Sequence, residues 1–157
     1  MIRYKQVALG GTFDIIHIGH LQLLKKAFDI GNFIVIGVTS DEFVNSVLHK
    51  KIQNIYSIRV DNLQQYIKSQ IQSNNYKITK LNNSFGPLVI SNDIDCLIVS
   101  SETQQKGKSI NSIRKNLGLL PIDIVSVDMV LAEDGLPVSS SRIRSNEIDN
   151  KGFKINK

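Results

Sequence analysis

The sequence predicts a single α/β domain: a doubly wound parallel sheet with helices on both of its faces. Three observations carry that expectation. Short apolar runs of strand length alternate with segments whose apolar residues recur at helical spacing, the pattern of parallel strands joined by crossover helices. A chain of 157 residues, 41% of them hydrophobic, suffices for one ordinary domain with one core and is too short for two of typical size. A polar segment, Ser100-Ser101-Glu102-Thr103, follows directly at the carboxyl end of the most continuous apolar run, Cys96–Val99, the edge at which open parallel sheets bind ligands.

The first strand is Gln6–Leu9, ending in Gly10-Gly11. A helix follows from about Gly19 to Phe28, with Leu21, Leu24 and Phe28 on one face and Gly31 placed to end it. The second strand is Phe33–Val38. Thr39-Ser40-Asp41-Glu42 then offers side-chain oxygens to cap a helical turn over Phe43–Leu48. The pattern lapses from Lys50 to Tyr56, which reads as a loop. Val60, Leu63, Ile67 and Ile71 recur at helical spacing and define a helix over Ser57–Gln72. Tyr76–Leu81 alternates like a strand, and Gly86-Pro87 breaks the chain's regular pattern soon after it. Cys96–Val99 is the most continuous strand, with Ser100-Ser101-Glu102-Thr103 at its carboxyl end. A helix around Ser109–Leu117, a break at Leu119-Leu120-Pro121 and a strand over Ile122–Val127 form one more unit. Ser139–Arg144 reads as a helix start, and residues 146–157 are polar enough to fray.

No apolar run reaches the ~18–20 residues that span a bilayer, and the amino-terminal residues lead into a strand rather than a signal peptide, so a soluble, cytoplasmic protein is expected. The single cysteine, Cys96, sits in an apolar run, which fits a buried thiol in a reducing compartment. The net charge of +5 suits nucleic acid or a ligand with several phosphates. Lysines and arginines are scattered, with no basic stripe interleaved with aromatics, so anionic small molecules are favoured over nucleic acid.

The densest segment runs from Gly10 to His20 and joins the first strand to the first helix. Its glycines let backbone N–H groups approach a phosphate, and His17 and His20 flank a glycine at a helix start, where the positive dipole end favours an anion. A histidine pair or a Gly-Gly pair alone is usually structural. In strand–turn–helix context the combination points to phosphate chemistry.

Gly11-Thr12-Phe13-Asp14 followed by His17-Ile18-Gly19-His20 resembles the signature of the nucleotidyltransferase superfamily, whose core is Rossmann-like. The His-Ile-Gly-His string also occurs in class I aminoacyl-tRNA synthetases, but this chain lacks their Lys-Met-Ser-Lys-Ser element. Further segments look like the archaeal-type phosphopantetheine adenylyltransferases: Val38–Glu42, Tyr56 with Arg59, Phe85–Pro87, Val99–Thr103, Ile110-Asn111 with Arg114, Ala132–Gly135 and Val138–Arg144. Ile15 and Ile18 depart from that family's commoner proline and acidic residue. The resemblance covers Val7 to Gly152. It implies ATP and 4′-phosphopantetheine as substrates, dephospho-coenzyme A and pyrophosphate as products, and a divalent cation, usually Mg2+, carried mainly by the ATP phosphates with no protein metal site.

The resemblance further implies site residues. His17, His20 and Thr12 are the expected catalytic group, the histidines donating to the α- and β-phosphates and Thr12 holding the attacking phosphate or the α-phosphate. ATP is expected at Gly10, Gly11, Thr12, Phe13, His17, Gly19, His20, Ser139, Ser140, Ser141 and Arg144, and the acceptor at Thr12, Asp14, Thr39, Lys51, Arg59, Ser100 and Glu102. Lys51 reads equally as a member of a solvated lysine pair, and Arg59 as a surface charge. The alternatives are a glycerol-phosphate cytidylyltransferase, a mononucleotide adenylyltransferase, or a nucleotide-binding module without catalysis. The sequence leaves the oligomeric state open.

Overall fold

The computed structural model describes residues 2–84, 86, 91–101 and 103–155. Its centre is a five-stranded, all-parallel sheet formed by β1 (Tyr4–Gly11), β2 (Gly31–Thr39), β3 (Tyr76–Leu81), β4 (Cys96–Ser100) and β5 (Asp123–Val127), in the order β3-β2-β1-β4-β5. The chain winds outward from β1 through β2 to β3, then returns to add β4 on the other side of β1, with Val7 opposite Cys96 and Ala8 opposite Leu97. That reversal opens a crevice at the carboxyl ends of β1 and β4.

Alternation along each strand divides two cores. Val7, Leu9, Ile34, Ile36, Cys96 and Ile98 face α1 (Ile18–Ile30) and α3 (Tyr56–Gln70). Ala8, Val35, Leu97 and Val99 face α4 (Gln104–Asn116) through Ile110. Helices therefore cover both faces, as the sequence predicts. Burial pushes the Cys96 thiol up to about 12, so it is an inert member of the core. No helix among the described residues is long and apolar enough to cross a membrane.

Several boundaries differ from the sequence expectation for physical reasons. Gly31 does cap α1, but its φ of −112° is ordinary. A side chain there would put Cβ 2.6 Å from Val7 Cγ2, so glycine serves close packing of helix end against strand. The predicted turn at Phe43–Leu48 is one helical turn, α2 (Asp41–Phe43), capped by the Ser40 hydroxyl, which widens over Val44–Leu48 and stops at His49 with φ 50°. Helix α4 begins five residues before the predicted Ser109. Its first turn carries no apolar residue, and Gly107 hides the periodicity; that glycine is buried, and a Cβ would meet Ile124 Cγ2 at 2.8 Å.

Asn111 and Arg114 hold the approach to β5. The Asn111 amide exchanges two hydrogen bonds with the Ile122 backbone, and Arg114 donates to the carbonyls of Leu120 and Ser91.

The carboxyl-terminal segment is not frayed up to residue 155. Ala132, Val138 and Ile148 form a third small core with Ile18, Val130 and Ile143. The Glu133 N–H bonds the Gly152 carbonyl, and the Ile18 N–H, first in α1, bonds the Asn150 carbonyl at 3.0 Å. One fully buried isoleucine, Ile148, packs the segment against the rest of the domain. Ile148→Ala should therefore cost about 2–4 kcal/mol in urea unfolding. A loss below about 0.5 kcal/mol, the range of ordinary surface changes, would return residues 148–155 to the status of a loose tail.

Candidate active site

The turn from β1 into α1 is built around two features. Phe13 has φ 53°, a left-handed conformation that costs a non-glycine residue about 1–2 kcal/mol, yet its ring is buried in the core. Gly11 makes room, since a Cβ there would sit 3.1 Å from that ring. Then His17 caps α1 reciprocally with His20: the Gly19 N–H donates to His17 Nδ1, and the His17 N–H donates to His20 Nδ1, both at 3.1 Å.

That cap sets the chemistry of both rings. A nitrogen that accepts an N–H bond presents its lone pair, so in each neutral imidazole the proton sits on Nε2 and can be donated outward. The rings stack at 3.8 Å, and Phe13 lies 4.9 Å from His20. Burial lowers His17 from 6.5 to about 4; burial and then the neighbouring His17 hold His20 well below 6.5. Both are neutral donors at pH 7.

Asp14 ties the turn to two distant segments. Its buried carboxylate accepts the N–H groups of Gln53 and Asn54, each at 2.9 Å, and Arg144 Nη1 at 2.7 Å, while its carbonyl accepts Asn54 Nδ2. With both oxygens engaged, Asp14 is a joint of the site, and it also lines the cavity at the β1/β4 crevice. Arg59 is not a surface charge. It is fully buried on α3 and donates to the carbonyls of Thr12 and Asn54 and to Asp41 Oδ1. Burial opposes charge on Asp41, but the bonds from Arg59 and from the Tyr56 N–H hold its carboxyl below the usual range.

At the ends of β1 and β2, the Thr39 hydroxyl donates to Thr12 Oγ1 at 3.1 Å, which leaves the Thr12 proton free for a ligand oxygen. The serines of the carboxyl-terminal motif have internal partners. Ser139 caps α5 (Ser140–Arg144), Ser140 donates to the Ile15 carbonyl at 3.0 Å, and Ser141 accepts Arg144 Nη2. Ser140 thereby fastens α5 to the histidine turn. Arg142 turns away and binds Asp134, Glu147 and the carbonyls of Leu136 and Pro137.

These residues meet around one cavity of about 490 Å3 at the β1/β4 crevice. Gly10 to Asp14, His17, Gly19, His20, Lys51, Ser100, Ser139, Ser140, Ser141 and Arg144 all line it. Thr39 lines a narrower, mostly apolar cleft of about 190 Å3 between the ends of the strands, which shares Gly10, Gly11 and Thr12 with the larger cavity. Arg59 lines neither, and Glu102 falls outside the described residues. Sequence reasoning missed Lys50, which borders both spaces, and the stretch Asp128-Met129-Val130 in the larger one. Proximity to the predicted Lys51 was a signal for the first; nothing in the sequence marks the second.

A family model described as cytidylyltransferase-like matches residues 8–146. A protein of Methanothermobacter thermautotrophicus named phosphopantetheine adenylyltransferase is 41% identical over 155 residues, covering 98% of this chain and 91% of its own. A protein of the same name from Methanosarcina mazei is 43% identical over 150 residues, covering 94% of this chain and 95% of its own. Among solved structures, a protein with unknown function from Archaeoglobus fulgidus superposes with a TM-score of 0.69 at 35% identity, covering 78% of this chain and 89% of that one.

The histidine geometry has a measurable signature. In an NMR titration His17 should protonate at about pH 4 and His20 well below 6.5, with both rings carrying their proton on Nε2 above that. The unfolded chain binds protons near pH 6.5 that the folded chain refuses until about pH 4. Stability should therefore be complete above about pH 6.5 and fall as pH drops toward 4. A His17 pKa at or above 6.5, or a proton on Nδ1, would sink the capped-donor arrangement.

Proposed function

The chain belongs to the cytidylyltransferase-like family, and we propose that its activity is adenylyl transfer from ATP to 4′-phosphopantetheine, giving dephospho-coenzyme A and pyrophosphate. The observation that carries this reading is the pair of neutral, cap-oriented Nε2–H donors lining the same cavity as Arg144, with Thr12 opening onto a second, apolar cleft. The names of the relatives at 41% and 43% identity over nearly the full chain support the choice of acceptor.

The chemistry follows from the reactants. The phosphate of the acceptor is an anion at neutral pH, so one of its oxygens attacks the α-phosphorus without a dedicated base. A new P–O bond forms, the bond from the α-phosphorus to the bridging oxygen breaks, and pyrophosphate leaves with the electron pair. In this scheme His17 and His20 donate to the α- and β-phosphate oxygens as charge shifts toward the leaving group. Thr12 aligns the attacking phosphate, and the apolar cleft takes the uncharged pantetheine arm. Lys50 and Lys51 flank the incoming phosphate, Ser100 stands at the β4 end, and Arg144 meets the outer phosphates.

Magnesium would be carried by those phosphates and water. The carboxylates lining the large cavity are those of Asp14, whose oxygens are engaged, and Asp128, and no cluster of three metal-binding side chains occurs among the described residues. When bound, the ion supplies charge neutralisation on the departing pyrophosphate.

The purified chain should release pyrophosphate from ATP when 4′-phosphopantetheine is present, and His20→Ala should lower turnover by about two to three orders of magnitude with a much smaller change in ATP affinity. Equal or better turnover with CTP and glycerol phosphate would move the activity to the other branch of the family. Arg144→Ala should weaken ATP binding by about 1.5–3 kcal/mol and leave AMP affinity nearly unchanged. Calorimetric titration reads both nucleotides, and equal losses would mean that Arg144 acts through its Asp14 contact rather than on the outer phosphates.

A further inference from the structure

The Thr12–Phe13 peptide lies at the rim of the cavity in an orientation that an aromatic residue does not choose by itself. Phe13 has φ 53°, and this angle sets the direction of the peptide before it. The Thr12 carbonyl of that peptide receives Arg59 Nη1 at 2.8 Å. We propose that Arg59 is a positioning residue for adenylyl transfer, holding this peptide so that Thr12 and the turn leading to the histidines keep their working geometry. The inference rests on the adenylyl-transfer reading of the site.

Arg59 is fully buried, so it touches no ligand and acts only through what it binds. Its guanidinium joins three segments that border the site. Nη1 holds the Thr12 carbonyl at the end of β1, Nη2 holds Asp41 just beyond the end of β2 at 2.8 Å, and Nε holds the Asn54 carbonyl at 3.0 Å. Asp41 follows Thr39-Ser40, and Thr39 donates to the Thr12 hydroxyl. One planar cation thus holds the backbone carbonyl on one side of the Thr12–Thr39 pair and the Asp41 side chain on the other.

The same device continues along the turn. Asn54, braced by Arg59, sends its Nδ2 to the Asp14 carbonyl at 3.0 Å, and Ser140 sends its hydroxyl to the Ile15 carbonyl at 3.0 Å. The carbonyl and N–H of one peptide point in opposite directions, so a donor that holds a carbonyl also fixes the N–H on the other side. A carbonyl free to rotate toward a polyphosphate would repel it. Arg59 holds the first of these three carbonyls directly and supports the residue that holds the second. A lysine keeps the charge but not the planar fork that satisfies three acceptors in three directions.

The test compares wild type, Arg59→Lys, Thr12→Val and the double variant in the full-length chain. Arg59→Lys should lower kcat about tenfold or more while KM for ATP moves less than about threefold, since a small misplacement of an aligned group acts on turnover. Adding Arg59→Lys to Thr12→Val should cost less than about threefold further, because both changes act through one group. Amide hydrogen exchange should quicken about tenfold over residues 12–16 and stay unchanged over Gln104–Asn116.

Uniformly faster exchange, additive losses in the cycle, or a loss carried wholly by KM would make Arg59 a stabilising residue only and overturn the proposal. Should wild type release no pyrophosphate from ATP with 4′-phosphopantetheine, the functional reading fails, and the exchange pattern alone still decides whether Arg59 holds the turn. Should Arg59→Lys not fold, Asp41→Asn replaces it. That variant keeps the acceptor but removes the charge opposite Arg59, and selective quickening over residues 12–16 supports the proposal while its absence refutes it.

Discussion

The buried carboxylate of Asp14 is the joint on which the site depends. It draws together the turn after β1, the loop at Gln53-Asn54 and Arg144, which lies 130 residues further along the chain. A carboxylate taken out of water is stable only when its lone pairs are filled, and removing one partner of such a buried pair costs about 3–5 kcal/mol. Each of the three segments is therefore conditional on the other two. The consequence is most direct for the irregular loop at Gln53-Asn54, whose backbone N–H groups end on Asp14 rather than in a helix or strand. Lys50, Lys51 and Ile52, which line the cavity, immediately precede those anchored residues.

The cap of α1 converts a structural need into oriented chemistry. Helix starts leave N–H groups without partners, and acceptors that fill them are usually serine, threonine or aspartate. Using Nδ1 of two histidines fills the same need while fixing which nitrogen keeps the proton. Stacking of the rings and the Phe13 contact then limit their rotation. In the proposed transfer, such donors require no rearrangement when charge develops on a phosphate oxygen, which is the condition for preorganised stabilisation.

Much of this was legible in the sequence, and the failures share a cause. Continuous apolar runs located the central strands β1, β2 and β4, because parallel strands buried on both faces need side chains of one kind, while alternation located the edge strand β3. The Gly10–His20 segment pointed to the cavity, because glycines and a histidine pair at a strand-to-helix turn are the residues that line it. Partnering between distant residues was not legible. Arg59, Asn111 and Arg114 carry the family resemblance as fully as the histidines do, yet they hold backbone carbonyls and strand approaches. Arg142 and Arg144 differ by two positions, and only contacts with Asp134 and Asp14 show that one braces a turn while the other faces the cavity. Hydropathy pattern reports which face is buried; it does not report which acceptor a buried cation meets.

The division between neutral and charged donors follows from where each sits. Protonating His17 or His20 would place charge in a site whose burial already lowers their pKa. Neutral donors held on a helix cap contribute direction, and in the proposed transfer their bonds strengthen as negative charge accumulates on the oxygen they face. Charge can then come from groups that keep their own counter-ion or solvent. Arg144 is half-balanced by Asp14, and Lys50 and Lys51 lie exposed at the rim. In the proposed reaction, long-range attraction of the polyanion thus belongs to the periphery and alignment to the interior.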